Sequence, residues 1–176
     1  MDAGGDRHER RAVTEVDTLV TSRMEQEKGV WGAELVSFPI SESDIRKWAI
    51  AVHWPQTPPR LYWDAEYAAT TLWGGIVAPE DFNPFAWPVP TGKTEPVGAV
   101  PGRPTERGSN LLNGGQADTF GARMRPDDVI TSRTRLARWE ERYGRNGLTL
   151  FTYVETEWRN QNGEFVKRRI ATIIRY

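Results

Sequence analysis

The sequence predicts an α+β domain in which a curved antiparallel sheet wraps around a central helix. Three observations carry that prediction. Apolar residues recur at helical spacing early in the chain. Three long segments near the end, Val129–Trp139, Leu148–Trp158 and Phe165–Tyr176, have strand composition. Between the last two stands Asn162-Gly163, a strong short hairpin signal. Helices followed by a meander of three or four strands must share one layered core.

The elements follow in order. Residues 1–12 hold Gly, Asp, Arg and Glu with little to bury, and are expected to be disordered. Residues 13–176 are expected to form one domain. Val13, Val16, Leu19, Val20 and Met24 predict a helix from Val13 to Lys28, with Gly29 as its stop. Leu35–Ile40 reads as a short extended stretch. Ser41 then stands before Glu42-Ser43-Asp44, a cap with acids in the first turn. Ile45, Trp48, Ala49 and Val52 make the apolar stripe of that helix, and Pro55 ends it. Prolines 55, 58 and 59 predict an extended connector. Asp64 reads as the cap of a further helix, Ala65–Leu72, closed by Gly74-Gly75. Ile76-Val77-Ala78-Pro79 leads into Glu80-Asp81-Phe82-Asn83-Pro84, read as the start of a buried helix. The Pro/Gly-rich stretch 88–110 predicts a long loop. In the strand Leu148–Trp158, residues Leu148, Leu150, Thr152, Val154 and Trp158 share one face. Phe151, Tyr153, Glu155 and Glu157 share the other.

Composition narrows the function. The chain has 176 residues, enough for a single core, with 38% hydrophobic and 27% charged residues. A net charge of -1 gives no global field toward nucleic acid or anionic membrane, so neither is expected as a partner. The absence of cysteine removes thiol nucleophiles, thiolate metal sites and disulfides, and suits a cytoplasmic location. No apolar run nears the roughly 20 residues that cross a bilayer. Two isolated histidines give no metal-ligand spacing, and no phosphate-cradling glycine loop occurs. Eight tryptophans exceed what a chain this size usually holds, and core packing is the first use of such rings, flat pockets the second.

Four stretches together resemble a known family. They are Ser43-Asp44-Ile45-Arg46-Lys47-Trp48-Ala49, Leu61-Tyr62-Trp63-Asp64-Ala65-Glu66-Tyr67-Ala68, Trp73-Gly74-Gly75-Ile76-Val77-Ala78-Pro79, and Leu112-Asn113-Gly114-Gly115-Gln116 followed by Arg125-Pro126-Asp127-Asp128-Val129. Their order and spacing resemble MaoC-like enoyl-CoA hydratases and dehydratases of the hot-dog superfamily, in the branch called the N-terminal MaoC, or FAS1-like, dehydratase domain. The resemblance covers roughly residues 30–175. It implies a dimeric or pseudo-dimeric hot-dog fold acting on acyl thioesters of coenzyme A or a carrier protein. In active members an Asp and a His add or remove water at a 2-enoyl thioester, and backbone N–H groups stabilise the enolate oxygen.

This chain departs from that motif at its centre. Where the family places Gly-Asp the chain reads His53-Trp54, and where it places the His the chain reads Leu61-Tyr62. Asp64 matches a later, non-catalytic Asp, and Asn113 replaces a second histidine. The resemblance therefore implies no catalytic residue here. It implies a half that shapes the acyl pocket for a second MaoC-like chain carrying the Asp/His dyad, in a heterodimer or heterotetramer, with no redox cofactor and no metal. The substrate-facing residues expected from it are Tyr62, Trp63, Trp73, Gly74, Gly75, Asn113, Gly115 and Gln116. Each also has a plain structural reading as core, turn or helix cap. His53 reads as a helix-end histidine near the last carbonyls rather than a displaced base. Lys167-Arg168-Arg169 reads as a charged strand edge. The alternatives are an autonomous homodimeric hydratase or thioesterase with a rearranged site built on His53, Asp64 or Asn113, and a non-catalytic acyl-binding protein.

Overall fold

Thr21 caps the first described helix, its hydroxyl accepting from the Met24 N–H at 3.2 Å. The structure, a computed structural model, describes residues 17–87, 108–145 and 147–176. Helix α1 covers Ser22–Glu27; of the expected helix Val13–Lys28, residues 13–16 lie outside the described residues and 17–21 are not helical. Tertiary bonds explain the late start. The Glu141 carboxylate accepts from the Thr18 hydroxyl and, at 2.6 Å, from the Leu19 N–H, which holds this stretch out of helix. The expected disorder of residues 1–12 and nearly all of the 88–110 loop lie outside the described residues.

Past α1 the chain runs along the sheet edge, bonding Gly29 and Gly32 N–H to the Leu136 and Thr134 carbonyls. It then forms the two-residue strand β1, Leu35–Val36. Helix α2, Glu42–His53, keeps the expected Ser41 cap, with Ser41 Oγ accepting from Asp44 N–H at 3.0 Å. Ile45 and Ala49 are buried, whereas Val52 is exposed. The proline connector is tighter than expected. It turns at Gln56 N–H to His53 O and then forms a 3₁₀ turn, Arg60–Tyr62. Helix α3, Ala65–Ala69, is capped by Asp64 as expected but stops early. The Thr70 and Thr71 hydroxyls bond the Tyr67 and Ala68 carbonyls and compete with further helix.

No helix forms across residues 79–87, a correction to the expected start near Pro79–Asn83. Pro84 offers no N–H, and Asn83 Oδ1 accepts from the Phe85 N–H, so the chain makes successive turns. Phe82 is nonetheless fully buried. Among the described residues no helix is long and apolar enough to cross a membrane.

The sheet has five antiparallel strands in the order β1-β3-β4-β5-β2. Strand β2 covers Leu111–Phe120, β3 Thr131–Gly144, β4 Gly147–Arg159 and β5 Phe165–Arg175. Period-two patterning holds in β4. Leu148, Leu150, Thr152 and Trp158 are buried on the helix-bearing face. Met24 of α1 packs on Leu136 and Leu150. Ile45, Ala68, Ile76 and Phe82 pack on Ile130, Trp158 and Val166. Two apolar clusters on one face thus bind the helices to the sheet, and burial of each large side chain contributes about 1.5–3 kcal/mol.

The Asn162-Gly163 hairpin is present with a different turn from the one its sequence signal implies. Gly163 has φ 77°, but Asn162 is not in the left-handed region. Gly163 N–H bonds Asn160 O at 2.9 Å and Asn160 N–H bonds Glu164 O. This is a type I turn followed by a left-handed glycine, rather than the type I′ turn. The Asn160 side chain drives the change by accepting from the Asn162 and Glu164 N–H groups.

Candidate functional site

The C-terminal end of α2, the 3₁₀ turn and the start of the 79–87 turns meet the end of β2 around an open cleft. Its volume is about 550 Å³, and Val52, His53, Tyr62, Glu80, Asp81, Phe120 and Arg123 are among its walls. His53 arrives there because Pro55 stops α2 one turn past Ala49. Its ring stacks on Tyr62 at 6.0 Å between centroids, 20° from parallel. Among the described residues no carboxylate hydrogen-bonds His53 to fix its tautomer, as a paired general base requires.

Arg123 forms the cationic wall. Its Nη1 donates to Glu80 Oε1 at 2.6 Å, and its guanidinium lies 5.5 Å from the Trp73 ring centre. The Arg123 side chain is 14% exposed and Glu80 55%, so the arginine is held while its partner faces water. Arg125 Nη2 donates to the Trp73 carbonyl at 2.8 Å, which fixes the turn behind that ring. The cleft can therefore hold an apolar chain against Tyr62 and Phe120 and a polar group at its rim.

The expected site residues divide into two groups. Tyr62 lines the cleft, and with Trp63 it also lines a neighbouring hollow of about 230 Å³. Trp73 backs Arg123. Gly74 takes φ 64° in the turn after α3, and Gly75 lies beside Arg125. Asn113, Gly115 and Gln116 are elsewhere. They lie in β2, and the seven residue steps from Asn113 to Phe120 span roughly 23 Å. There Asn113 Oδ1 accepts from Gly115 N–H at 2.9 Å, Gly115 has φ 99°, and the β2–β5 register shifts. That bulge lies on an exposed edge strand. Within this chain it does not reach the Tyr62 cleft. Sequence reading missed Glu80, Asp81, Phe120 and Arg123, because segments far apart in the chain bring them together.

Next to the cleft, Phe120 covers a buried charge cluster. Lys167 is 2% exposed, between the Phe120 and Trp158 rings at 5.0 and 5.2 Å. Its Nζ lies 3.2 Å from Asp118 Oδ2, close enough to pair by charge but outside hydrogen-bond direction. Arg169 donates two bonds of 2.9 Å to the same carboxylate. The Arg169 bonds, then Lys167, hold the Asp118 carboxyl below its ordinary range despite its burial.

Comparison with known proteins fits this geometry. A family model described as "FAS1-like, dehydratase domain region" matches residues 26–169. No curated protein matches the chain significantly. The ChsH1–ChsH2 complex of Mycobacterium tuberculosis is structurally similar, at TM-score 0.64 and 16% identity over 87% of this chain and 93% of that one. The R-hydratase PhaJ1 of Pseudomonas aeruginosa gives TM-score 0.52 and 20% identity over 84% of this chain and 80% of that one. The HadBC (3R-hydroxyacyl-ACP dehydratase) complex of Mycobacterium tuberculosis gives 0.52 and 17% over 80% and 95%. At these identities the likeness shows the fold, the hot-dog arrangement of a curved antiparallel sheet with few helices.

Proposed function

The chain belongs to the FAS1-like dehydratase domain family of MaoC-like proteins, and on that premise we propose that it is one subunit of an enoyl-CoA hydratase or acyl dehydratase. It acts on 2-enoyl or 3-hydroxyacyl thioesters as the half without the Asp/His dyad. One observation carries this reading. The place where the family keeps its dyad holds His53 stacked on Tyr62, with no carboxylate bonded to the imidazole among the described residues.

In hydration, water oxygen bonds to the β carbon as the C=C π bond breaks; one water proton stays on the new hydroxyl, and the one released balances the proton delivered to the α carbon. No electrons leave or enter the substrate, so the reaction calls for no redox cofactor. The groups that move those protons come from the partner chain. This chain supplies walls: Tyr62 and Phe120 against the acyl chain, and Arg123 on Trp73 at the rim. The partner is a second hot-dog chain that pairs along β2, whose ten residues form an exposed edge. The Asn113–Gln116 bulge then faces the pocket that the two chains share.

A second reading has its own observation. His53, Glu80 and Asp81 share one cleft, which is the raw material of an acid–base site in an autonomous hydratase or thioesterase. One assay separates the two. The purified chain is mixed with crotonyl-CoA, alone and after co-expression with a MaoC-like chain holding an intact dyad. The subunit reading expects turnover only from the pair. Turnover by the chain alone, abolished by His53→Ala, would establish the autonomous enzyme instead.

A further inference from the structure

Six guanidiniums stand on the outer face of the sheet against four carboxylates. Arg133, Arg135, Arg138 and Arg142 come from β3, Arg159 from β4 and Arg168 from β5. Glu157 lies between Arg133 at 2.7 Å and Arg159 at 3.0 Å. Glu155 lies between Arg135 at 2.7 Å and Arg168 at 3.8 Å. Glu140 holds Arg142 at 2.8 Å. Glu34, on the segment before β1, adds the fourth carboxylate beside Arg133 and Arg159. A cationic surplus remains on this face of a chain whose net charge is -1, so charge is segregated here.

Aromatic rings hold several of these arginines in place. Trp31 lies 4.4 and 4.3 Å from the Arg133 and Arg135 guanidiniums. Tyr153 backs Arg138 at 3.4 Å, and Phe151 backs Arg142 at 4.9 Å. A stacked guanidinium loses less freedom when it binds an anion than a free one does.

We propose that this face docks the acidic helix of a carrier protein that delivers the acyl group as a thioester. The proposal rests on the reading that the substrate is an acyl thioester, and it chooses the carrier protein over free coenzyme A. Alternate residues along β3 stand about 6.6 Å apart. Carboxylates at i and i+4 of a helix stand about 6 Å apart, so an acidic helix matches the Arg133–Arg135 pair, with Arg138 past the β3 bulge and Arg142 past Glu140 along the same face. A nucleotide needs concavity. A hollow on this face, about 300 Å³, is lined by Glu34 and Glu157 as well as Arg133 and Arg159, so a phosphate there meets carboxylates. A second copy of the face would bring like charge. A DNA duplex is the competing polyanion, but its long phosphate rod also meets the rest of a chain of net charge -1.

The test titrates the purified chain, calorimetrically and at low and physiological salt, with crotonyl-loaded acyl carrier protein, crotonyl-CoA and a DNA duplex. The variant joins Arg138→Glu and Arg168→Glu. Neither arginine makes the close bonds to Glu155 and Glu157, so the sheet keeps its pairs. Carrier binding is expected to weaken about tenfold or more in the variant and to lose its salt dependence. Crotonyl-CoA binding is expected to stay unchanged, and the melting temperature to fall only slightly, from the lost Arg168–Glu155 contact. Equal carrier affinity for wild type and variant, no carrier binding at low salt, or DNA binding as tight as the carrier's would each overturn the proposal. Failure of the subunit reading shows separately, in the crotonyl-CoA turnover of the assembled pair.

Discussion

His53 is the residue on which the enzymatic role of this chain turns. If the partner carries the dyad, His53→Ala leaves kcat of the assembled pair within a few-fold, because only a stacking contact with Tyr62 is lost. Loss of a true general base costs about 10²–10⁴-fold, so kcat of the pair decides between the two roles. Asp118 makes a second single-residue test. Its carboxyl is held low by Arg169 and then Lys167, so its stabilising contribution is complete above the ordinary carboxylate range near pH 4. That contribution is lost as pH falls through the depressed folded value. Asp118→Asn is expected to destabilise the neutral protein by about 2 kcal/mol or more, since it leaves Lys167 buried without its counter-charge. Below about pH 4 the difference from wild type should shrink, and chemical denaturation at two pH values measures both effects. At this scale the caps were legible. Ser41 and Asp64 each bond the N–H three residues on, as their position before an acidic first turn implies. Lys167 was misjudged as a solvated edge charge. A strand's parity places it on the helix-bearing face, but nothing in the sequence says which parity faces in.

Among the elements, the strands were read more faithfully than the helices. Period two in 148–158 survives folding because Leu148, Leu150, Thr152 and Trp158 are buried on one face, Leu150 beside Met24 of α1 and Trp158 in the cluster that holds Ile45 of α2. The helix ends were decided by bonds from afar. Glu141 of β3 unwinds residues 18–19, and no local pattern records that. The hairpin between β4 and β5 offers the sharpest check. Gly163 has φ 77°, and a Cβ there meets nothing within 4 Å. Gly163→Val therefore costs backbone strain alone, expected at roughly 1 kcal/mol or more. Gly163→Asn should cost less, since Asn tolerates the left-handed region better. Equal melting temperatures for the two variants would show that the turn relaxes to another form.

The whole molecule is defined by what β2 leaves uncovered. It closes one end of the sheet with β5 on one side and no strand on the other among the described residues. Leu111 and Leu112 are 59% and 50% exposed there, unusual for a ten-residue edge with no lysine of its own. The cleft shares that incompleteness. Tyr62 and Arg123 stand at one end of β2 and the Asn113–Gln116 bulge at the other, so the residues picked from family likeness form one pocket only if a second chain bridges them. That is why the sequence could name these residues without showing how far apart they lie. Leu111→Lys with Leu112→Lys is the decisive variant. Both side chains already face solvent in the single chain, so its stability should change by no more than about 0.5 kcal/mol. Pairing along β2 would then set lysines against the partner's edge strand, and co-purification with the dyad-bearing chain should fail along with crotonyl-CoA turnover. If the double variant still co-purifies at full yield, the partner must meet this chain elsewhere, and the shared pocket must be rebuilt around another surface.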